Sequence, residues 1–202
     1  MNSTYHHGNL RQALLERAIE ILSSAGIERL SLRALARELE VSHAAPLRHF
    51  KTKADLLSAI AIEGAQSLMQ GVAQARALPE GTSRLLGIST TYIDWAIQHP
   101  AYYQVMRNPD VMRHAPETLD EMLGEFGQRQ RTEIVRAQSA GWRSEDDPEA
   151  LFLHLTALTV GTAMIATDPT YPKPSGITPS REELLAPIRR FLKLQDPSKQ
   201  GE

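Results

Sequence analysis

Cationic, hydroxyl and small side chains lie close together in residues 31–57, and this combination suits contact with DNA. Small side chains at Ala44 and Ala45 allow a backbone to approach a groove, while Arg48 and His49 supply hydrogen-bond donors. Arginine can bind the edge of a guanine or a phosphate oxygen through its forked donors. The segment therefore indicates a surface that meets DNA.

Short helices joined by a turn are expected to position these side chains. Ser31 is a natural N-cap for a helix whose apolar residues recur at helical spacing. Ser42 is a second N-cap candidate and opens a recognition helix over residues 42–49. Thr52 and Asp55 form a capping box that opens a further helix. A helix, a short turn and a second helix across a groove make the helix-turn-helix arrangement.

This segment resembles the N-terminal DNA-binding domain of the TetR family of repressors. The opening residues 5–11 and the run 43–50, with His-Ala-Ala-Pro at 43–46, are similar to one branch of that family. Residues 99–103 and Met106 resemble the ligand domain of that branch. The positions that carry the resemblance in the DNA-binding part are Ser31, Leu32, Arg33, Ala34, Leu35, Ala36, Val41, Ser42, His49, Phe50, Lys53 and Leu56.

The resemblance implies two groups of DNA contacts. Phosphate contacts, made by side chains or by backbone N–H groups at helix starts, fall to Ser31, Arg33, Ser42, Thr52 and Lys53. Contacts to bases or neighbouring phosphates fall to His43, Ala44, Ala45, Arg48 and His49.

Two residues depart from the family pattern. Leu47 is also among the residues predicted to lie against DNA, but it stands where the family usually has a tyrosine whose hydroxyl meets a phosphate, so that hydroxyl contact should be absent. Pro46 stands where leucine is common, and it lacks the N–H that would bond to the Ser42 carbonyl. The recognition helix should therefore begin one residue later or have a distorted first turn.

Composition favours a chain of two domains. With 202 residues and 42% hydrophobic side chains, the chain can bury a second core beside a DNA-binding domain. Cysteine is absent, which excludes disulfides and thiolate chemistry. The first residues carry no apolar signal-peptide core, so we expect a cytoplasmic protein. Polar residues interrupt the longest apolar stretch, 151–166, which we interpret as a buried or interface helix and not as a membrane span.

Charge is distributed slightly in favour of a DNA-binding N-terminus. The net charge is −2, and residues 1–64 hold eight basic against seven acidic side chains, which leaves −3 for the rest. The total argues against non-specific binding to nucleic acid. What favours DNA is the position of Arg33, Arg48, Lys51 and Lys53 around the candidate recognition helix.

The hydrophobic pattern predicts an all-α protein with about nine helices. A three-helix helix-turn-helix domain is expected over 1–52 and a helical effector-binding and dimerisation domain over 53–202, with helix 53–76 linking the two. A proline-rich loop over 169–179 separates the last two helices. The predicted helices are 10–25, 32–39, 42–49, 53–76, 84–98, 101–107, 117–140, 147–166 and 181–194.

The last two helices have faces that suit a partner. Helix 147–166 is apolar nearly all round, with small residues such as Gly161 where another helix could pack closely. Helix 181–194 has one apolar face. Together they predict half of a four-helix homodimer interface, as in the resembled family, and the alternative is ordinary core packing. A dimer is favoured because two recognition helices match a palindromic site.

Aromatic and flexible apolar residues predict a small-molecule pocket, although the same composition also describes a plain core. His154, on an otherwise apolar helix, is interpreted as a satisfied buried histidine that is also a pocket candidate. The candidates are Tyr92, Trp95, Tyr102, Tyr103, Met106, Met122, Phe126, His154 and Met164.

Other functions lack the residues that they need. The chain has no Gly-x-Ser-x-Gly elbow and no Walker or dinucleotide fingerprint, and adjacent His6 and His7 cannot alone complete a tetrahedral metal site. We predict no enzyme activity, no cofactor, no metal and no membrane association.

The predicted function is a ligand-responsive transcriptional regulator that acts as a repressor. It would bind a palindromic operator in double-stranded DNA as a homodimer and be released by a small-molecule effector. The alternative is a helical small-molecule-binding protein or an activator.

Overall fold

A computed structural model describes residues 10–168 and 179–194, and in these ranges the chain is helical with no strand. The predicted all-α class is confirmed. The α-helices of this part of the chain are α1 (Leu10–Ala25), α2 (Leu32–Glu38), α3 (Lys53–Gln74), α4 (Thr82–Gln98), α5 (Pro100–Met106), α6 (Pro109–Arg113), α7 (Glu117–Ser139), α8 (Pro148–Thr167) and α9 (Arg181–Phe191).

Most predicted helices lie within a few residues of their expected bounds, but two elements differ. Residues 42–49 do not form an α-helix and contain only a 3₁₀ turn, Pro46–Arg48. The short helix α6 was not predicted. Asn108 begins it, since its Oδ1 accepts hydrogen bonds from the backbone N–H groups of Asp110 (2.9 Å) and Val111 (3.1 Å).

The described chain divides into two compact units. The first contains the residues up to 65 together with 99–120, and the second contains 66–98 together with the residues from 121 onward. Helices α3 and α7 each have residues in both units. These units are defined by compactness, and the functional division at residues 52 and 53 stays a prediction.

The core of the first unit forms around α1. Its apolar residues recur three and four positions apart and give a buried stripe that includes Leu14, Ala18 and Leu22. Gly26 ends the helix at φ +79°, a left-handed conformation that glycine adopts without steric cost. Leu35, Phe50, Leu56 and Ile60 complete the buried centre.

The core of the second unit consists of α4, α8 and α9 packed against one another. Its largest fully buried side chains include Leu85, Ile93 and Leu155. One polar pair lies among them, and the Thr159 hydroxyl donates to Ser89 Oγ at 3.0 Å, so neither hydroxyl is left unsatisfied.

Helix α8 is less buried than its composition predicts. By length and composition alone, its 20 residues are long and apolar enough to cross a membrane. Only 28% of its most apolar 18-residue stretch is buried within the protein. The interpretation of residues 151–166 as a buried or interface helix stays a prediction. Leu151, Leu155 and Ala163 are buried, whereas Leu153 is 67% exposed.

Candidate nucleic-acid interface

Two of the three predicted N-terminal caps, those of Ser31 and Thr52, are confirmed. Ser31 Oγ accepts a hydrogen bond from the Ala34 N–H at 3.1 Å and begins α2. Thr52 Oγ1 accepts from the Asp55 N–H at 3.1 Å, while Asp55 Oδ2 accepts from the Thr52 N–H at 3.0 Å. This reciprocal pair fixes the start of α3. It therefore also fixes the direction in which the chain leaves residues 42–49, which we call the recognition segment.

The recognition segment is a turn followed by a 3₁₀ helix, so the predicted α-helix over 42–49 is wrong. The Ser42 carbonyl accepts from the Ala45 N–H at 2.9 Å, a bond of 3₁₀ type, because Pro46 has no N–H to offer. Ser42 does not cap the helix, which begins after Ala45. The sequence left open a start one residue later or a distorted first turn, and the observed segment departs further, since no α-helix forms over these residues.

An ion pair also connects helix α2 to helix α1. The Arg17 guanidinium on α1 donates to Glu38 Oε2 on α2 at 2.5 Å and also pairs with Glu20. The hydrogen bond to Glu38 is the main cause of the raised pKa of Arg17. The pair between Arg17 and Glu38 joins α1 to α2 in the first unit, whereas Glu20 lies on α1 itself.

A concave surface of about 600 Å³ lies where α2, the recognition segment and the start of α3 meet. It brings together seven of the residues predicted to contact DNA: Ser31, Arg33, His43, Ala44, Leu47, Thr52 and Lys53. Four predicted residues, Ser42, Ala45, Arg48 and His49, are outside this lining. Of these four, Ala45 is half-buried and the other three are exposed.

Lys51 lines the same surface but is absent from the predicted set of contacts. With Arg33 and Lys53 it gives the lining three fixed cations and no carboxylate. The sequence signal was its position directly after the recognition segment. An excess of positive charge on a concave surface favours the phosphate backbone of nucleic acid.

Lys53 has a structural contact in addition to its position on this surface. Its Nζ donates to the Ile27 carbonyl oxygen at 2.6 Å and so connects α3 to the 3₁₀ turn Ile27–Arg29. An ammonium group carries three donors, which leaves two for another acceptor. Lys53 can therefore stabilise the unit and still reach a phosphate.

The predicted pocket residues do not form one cluster. Tyr102, Tyr103 and Met106 belong to the first unit, where the Tyr102 hydroxyl donates to Glu63 Oε2 at 3.3 Å. Burial, and secondarily Glu63, raises the pKa of Tyr102. The remaining candidates, Tyr92, Trp95, Met122, Phe126, His154 and Met164, belong to the second unit.

In the second unit, three of the aromatic candidates are neighbours. The ring of Tyr92 lies 6.4 Å from that of Trp95 and 5.9 Å from that of Phe126, measured between centroids. Trp95 is buried, and its Nε1 donates to Ser67 Oγ at 3.3 Å. This arrangement suits a core as well as the wall of a pocket.

His154 is exposed, so its interpretation as a buried histidine is wrong. Its Nδ1 lies 2.7 Å from the Ala150 carbonyl oxygen one turn earlier, and its ring lies 6.1 Å from that of Phe191. The reason is that α8 packs through another face. Across the part of the chain that the structure describes, no group of three potential metal ligands occurs, and His6 and His7 lie outside it.

The fold and this surface are typical of the helix-turn-helix class of DNA-binding domains. Residues 14–60 match the sequence profile of bacterial regulatory proteins of the tetR family. Residues 14–60 are therefore similar to the DNA-binding domain of that family. The finer branch suggested by residues 5–11 stays a prediction, and residues 5–9 lie outside the described chain.

One curated protein and two solved structures are similar to this chain. The chain is 26% identical over 97 residues to the uncharacterized HTH-type transcriptional regulator YobS of Bacillus subtilis, a match that covers 48% of this chain and spans about half, 51%, of that relative. A structure of a protein with unknown function from Rhodococcus sp. RHA1 is 29% identical, with a TM-score of 0.76 over 95% of this chain and 98% of the other.

The second structure is AibR in complex with isovaleryl coenzyme A and operator DNA. It is 16% identical and has a TM-score of 0.71 over 91% of this chain and 98% of that one. At this identity the likeness shows the fold alone.

Proposed function

We propose that this protein is a ligand-responsive transcriptional repressor that binds a palindromic operator as a homodimer. The observation that carries the proposal is the concave surface, which brings together seven predicted contact residues and Lys51. Its lining holds three cations, Arg33, Lys51 and Lys53, and no carboxylate. We further infer that it acts in the cytoplasm and catalyses no reaction.

The contacts to DNA divide by chemistry. Arg33, Lys51 and Lys53 are suited to phosphates, and the backbone N–H groups at the starts of α2 and α3 add neutral donors. His43 and Ala44 line the same surface and Arg48 is exposed beside it, so these residues are the candidates for base contacts.

Dimerisation is supported by an exposed apolar face on α8. Leu153, Ala157 and Gly161 are four residues apart and share this face, on which Leu153 is 67% exposed and a Cβ added to Gly161 would meet nothing within 4 Å. Large exposed apolar side chains at close-packing positions favour a second helix. The partner would be a second copy of the chain, packed through α8 and α9.

Response to a ligand is the second half of the proposal. A structure with this fold, that of AibR, contains isovaleryl coenzyme A and operator DNA together. In a repressor, an effector that binds the DNA-free conformation more tightly shifts the population away from the operator. An activator or a helical small-molecule-binding protein is the alternative.

Selection of DNA fragments by the purified protein tests the proposal. We expect a short palindrome that is bound by two chains, with an affinity that falls steeply as the salt concentration rises. Combined replacement of Arg33 and Lys51 by alanine should abolish binding, whereas Arg113→Ala, which changes an exposed cation on α6, should not.

A reporter gene placed behind the selected palindrome gives the sign of regulation. For a repressor, removal of the protein raises transcription, whereas for an activator it lowers transcription. If the protein selects no sequence, the proposal of an operator-binding regulator fails.

A further inference from the structure

A cavity of about 450 Å³ lies in the second unit, and its lining contains none of the aromatic residues predicted for a pocket. Its walls come from the end of α3, the start of α4 and the middle of α7. This volume is typical of small-molecule sites, which span about 300–1,000 Å³. Its lining consists of Val72, Ala75, Arg76, Glu80, Arg84, Ile88, Glu125, Gln128, Arg129, Thr132, Glu133 and Arg136.

A buried carboxylate, that of Glu133, connects several residues of this cavity by hydrogen bonds. Glu133 is 7% exposed, and its Oε2 accepts from the Gly81 N–H at 3.1 Å. Its Oε1 accepts from Arg136 Nη1 at 2.6 Å and from Arg84 Nη1 at 3.4 Å. Arg84 also donates to the carbonyl oxygens of Leu78 (2.9 Å) and Arg76 (3.0 Å). Glu133 and Arg84 are thus satisfied within the protein.

Arg129 is not satisfied in the same way. Its Nε (3.2 Å) and Nη2 (2.6 Å) both donate to Glu125 Oε1, whereas its Nη1 is buried and has no acceptor among the described residues. A buried guanidinium nitrogen without an acceptor is costly, so Arg129 is the lining arginine that would gain most from an acceptor supplied by a bound group. The exposed side chain of Arg76 lines the same cavity and takes part in none of the ion pairs of the described chain.

The charges of the lining indicate the charge of that group. Four guanidinium groups and three carboxylates give a net charge of +1, which one monoanion would neutralise. A carboxylate matches the paired donors of a guanidinium group, whereas a phosphate monoester would bring close to two negative charges. Val72, Ala75 and Ile88 are buried apolar side chains in the same lining and suit a hydrocarbon body.

We propose that this cavity is the effector site and that it binds a small monocarboxylic acid with an apolar body. Arg129 and Arg76 hold the carboxylate, and the wall formed by Val72, Ala75 and Ile88 holds the hydrocarbon. This inference rests on the proposed function, since it assigns the ligand class of a ligand-responsive regulator.

Calorimetric titration of the full chain without DNA tests the assignment. The probes are the straight-chain carboxylates from butanoate to decanoate, each compared with the alcohol of the same chain length. For at least one length we expect the acid to bind at least about tenfold more tightly than its alcohol, because a charge-assisted hydrogen bond is lost in the alcohol. If no acid binds more tightly than its alcohol, the assignment is overturned.

Two variants show whether the preference comes from this cavity. Arg129→Gln should reduce the preference for the acid to less than about twofold while binding of the alcohol is retained. Arg131→Gln is the matched control, since Arg131 is on the same helix and also pairs with one glutamate, Glu149 at 2.8 Å, but does not line the cavity. An unchanged preference in Arg129→Gln, or an equal loss in both variants, would overturn the assignment.

The failure of this inference can be distinguished from the failure of the proposed function. Binding of the selected palindrome, measured separately, tests the regulator. If the protein binds the operator but shows no preference for acids, only the proposed ligand class is wrong. If it prefers an acid but binds no operator, only the proposed regulator function is wrong. A bound acid should also lower operator affinity, and unchanged operator affinity would show that the cavity is not the effector site.

Discussion

Leu47 is half exposed on the concave surface, at the position where the resemblance to the TetR family leads us to expect a tyrosine hydroxyl. Its 50% exposure shows that it is not needed to fill the core of the first unit. We therefore expect Leu47→Tyr to tighten operator binding. A hydrogen bond to a charged acceptor contributes about 1.5–3 kcal/mol, which corresponds to roughly tenfold or more in affinity.

Leu47→Phe is the matched control, since it adds the ring without the hydroxyl. Fluorescence anisotropy with the selected DNA at fixed salt should show tighter binding for tyrosine alone and the same sequence preference in both variants. Equal effects of tyrosine and phenylalanine would show that apolar contact, and not a phosphate hydrogen bond, is responsible.

Alanine variants of two nearby lysines, Lys51 and Lys53, should separate an effect on DNA binding from an effect on thermal stability. Lys51 is exposed and lines the surface, so Lys51→Ala should weaken binding to all sequences and reduce the salt slope by about one unit while leaving the melting temperature unchanged. Lys53→Ala should have the same effect on binding and also lower the melting temperature, because it removes the bond to the Ile27 carbonyl.

Thermal unfolding and a salt titration of binding measure both quantities. A salt slope that is unchanged in Lys53→Ala would make Lys53 a structural residue alone.

For single residues, the sequence predicted local capping roles better than long-range contacts and burial. Ser31, Thr52 and Asp55 have the capping roles expected of them because capping depends only on local spacing. The bond between Lys53 and Ile27 joins positions 26 residues apart, and the exposure of His154 depends on which face of α8 packs. Neither is set by local sequence.

Among the elements, α3 and α5 approach each other closely at Gly64 in the first unit. A Cβ added at Gly64 would lie 2.9 Å from the Cβ of Tyr102 and 3.2 Å from Met106 Sδ. Gly64→Ala should therefore destabilise the protein by about 1–3 kcal/mol, less whatever the gain in helix propensity offsets.

Gly124, within α7, provides the matched control for Gly64. A Cβ there would meet nothing within 4 Å, so Gly124→Ala should stabilise the protein by about 0.5–1 kcal/mol. Chemical denaturation of both variants measures the two changes. A stabilising effect of Gly64→Ala would contradict the close packing of α3 on α5.

The start of α9 has a pH-dependent cap. Glu183 Oε2 accepts from the N–H (2.7 Å) and the hydroxyl (2.9 Å) of Ser180, and chiefly the backbone hydrogen bond lowers the pKa of Glu183. A lowered pKa in the folded state stabilises the protein above the unfolded pKa, and this contribution is lost as the pH falls through the folded pKa.

We expect Glu183→Gln to melt below the wild type at neutral pH, with the gap closing at acid pH. Glutamine keeps an acceptor for the cap but removes the charge that favours a helix N-terminus. Glu183→Ala removes both and should melt lower than the glutamine variant. Melting curves across the acid range measure the gap, and a gap that is independent of pH would rule out the carboxylate charge as its cause.

Helix periodicity predicted the long helices well but not the short elements. The apolar residues of α1 and α4 recur at helical spacing over several turns, so many positions support the same prediction. Pro46 removes a single N–H, and that is enough to convert the recognition segment into a turn and a 3₁₀ helix. Helix α6 has only five residues and depends on the cap supplied by Asn108.

At the scale of the whole molecule, the exposed face of α8 determines the predicted assembly. One chain leaves Leu153 67% exposed, and the same face continues through Ala157 and Gly161. We expect light scattering to give twice the mass of one chain at micromolar concentration in the absence of DNA. A single-chain mass there would contradict the proposed homodimer.

Gly161→Leu tests whether this face forms the interface. A Cβ at Gly161 meets nothing within 4 Å in one chain, so the substitution has room in the monomer and should act only on a helix of the partner. Overpacking of a close interface costs about 1–3 kcal/mol, which raises the dimer dissociation constant by roughly fivefold to more than a hundredfold.

Gly124→Leu is the control, since Gly124 is also helical and equally free of neighbours but lies on α7. Sedimentation over a range of concentrations should show weakened association for Gly161→Leu alone. Because a palindrome requires two chains at a fixed spacing, Gly161→Leu should also weaken operator binding, and this loss should diminish as the protein concentration rises. An unchanged dissociation constant in Gly161→Leu would place the interface on another face.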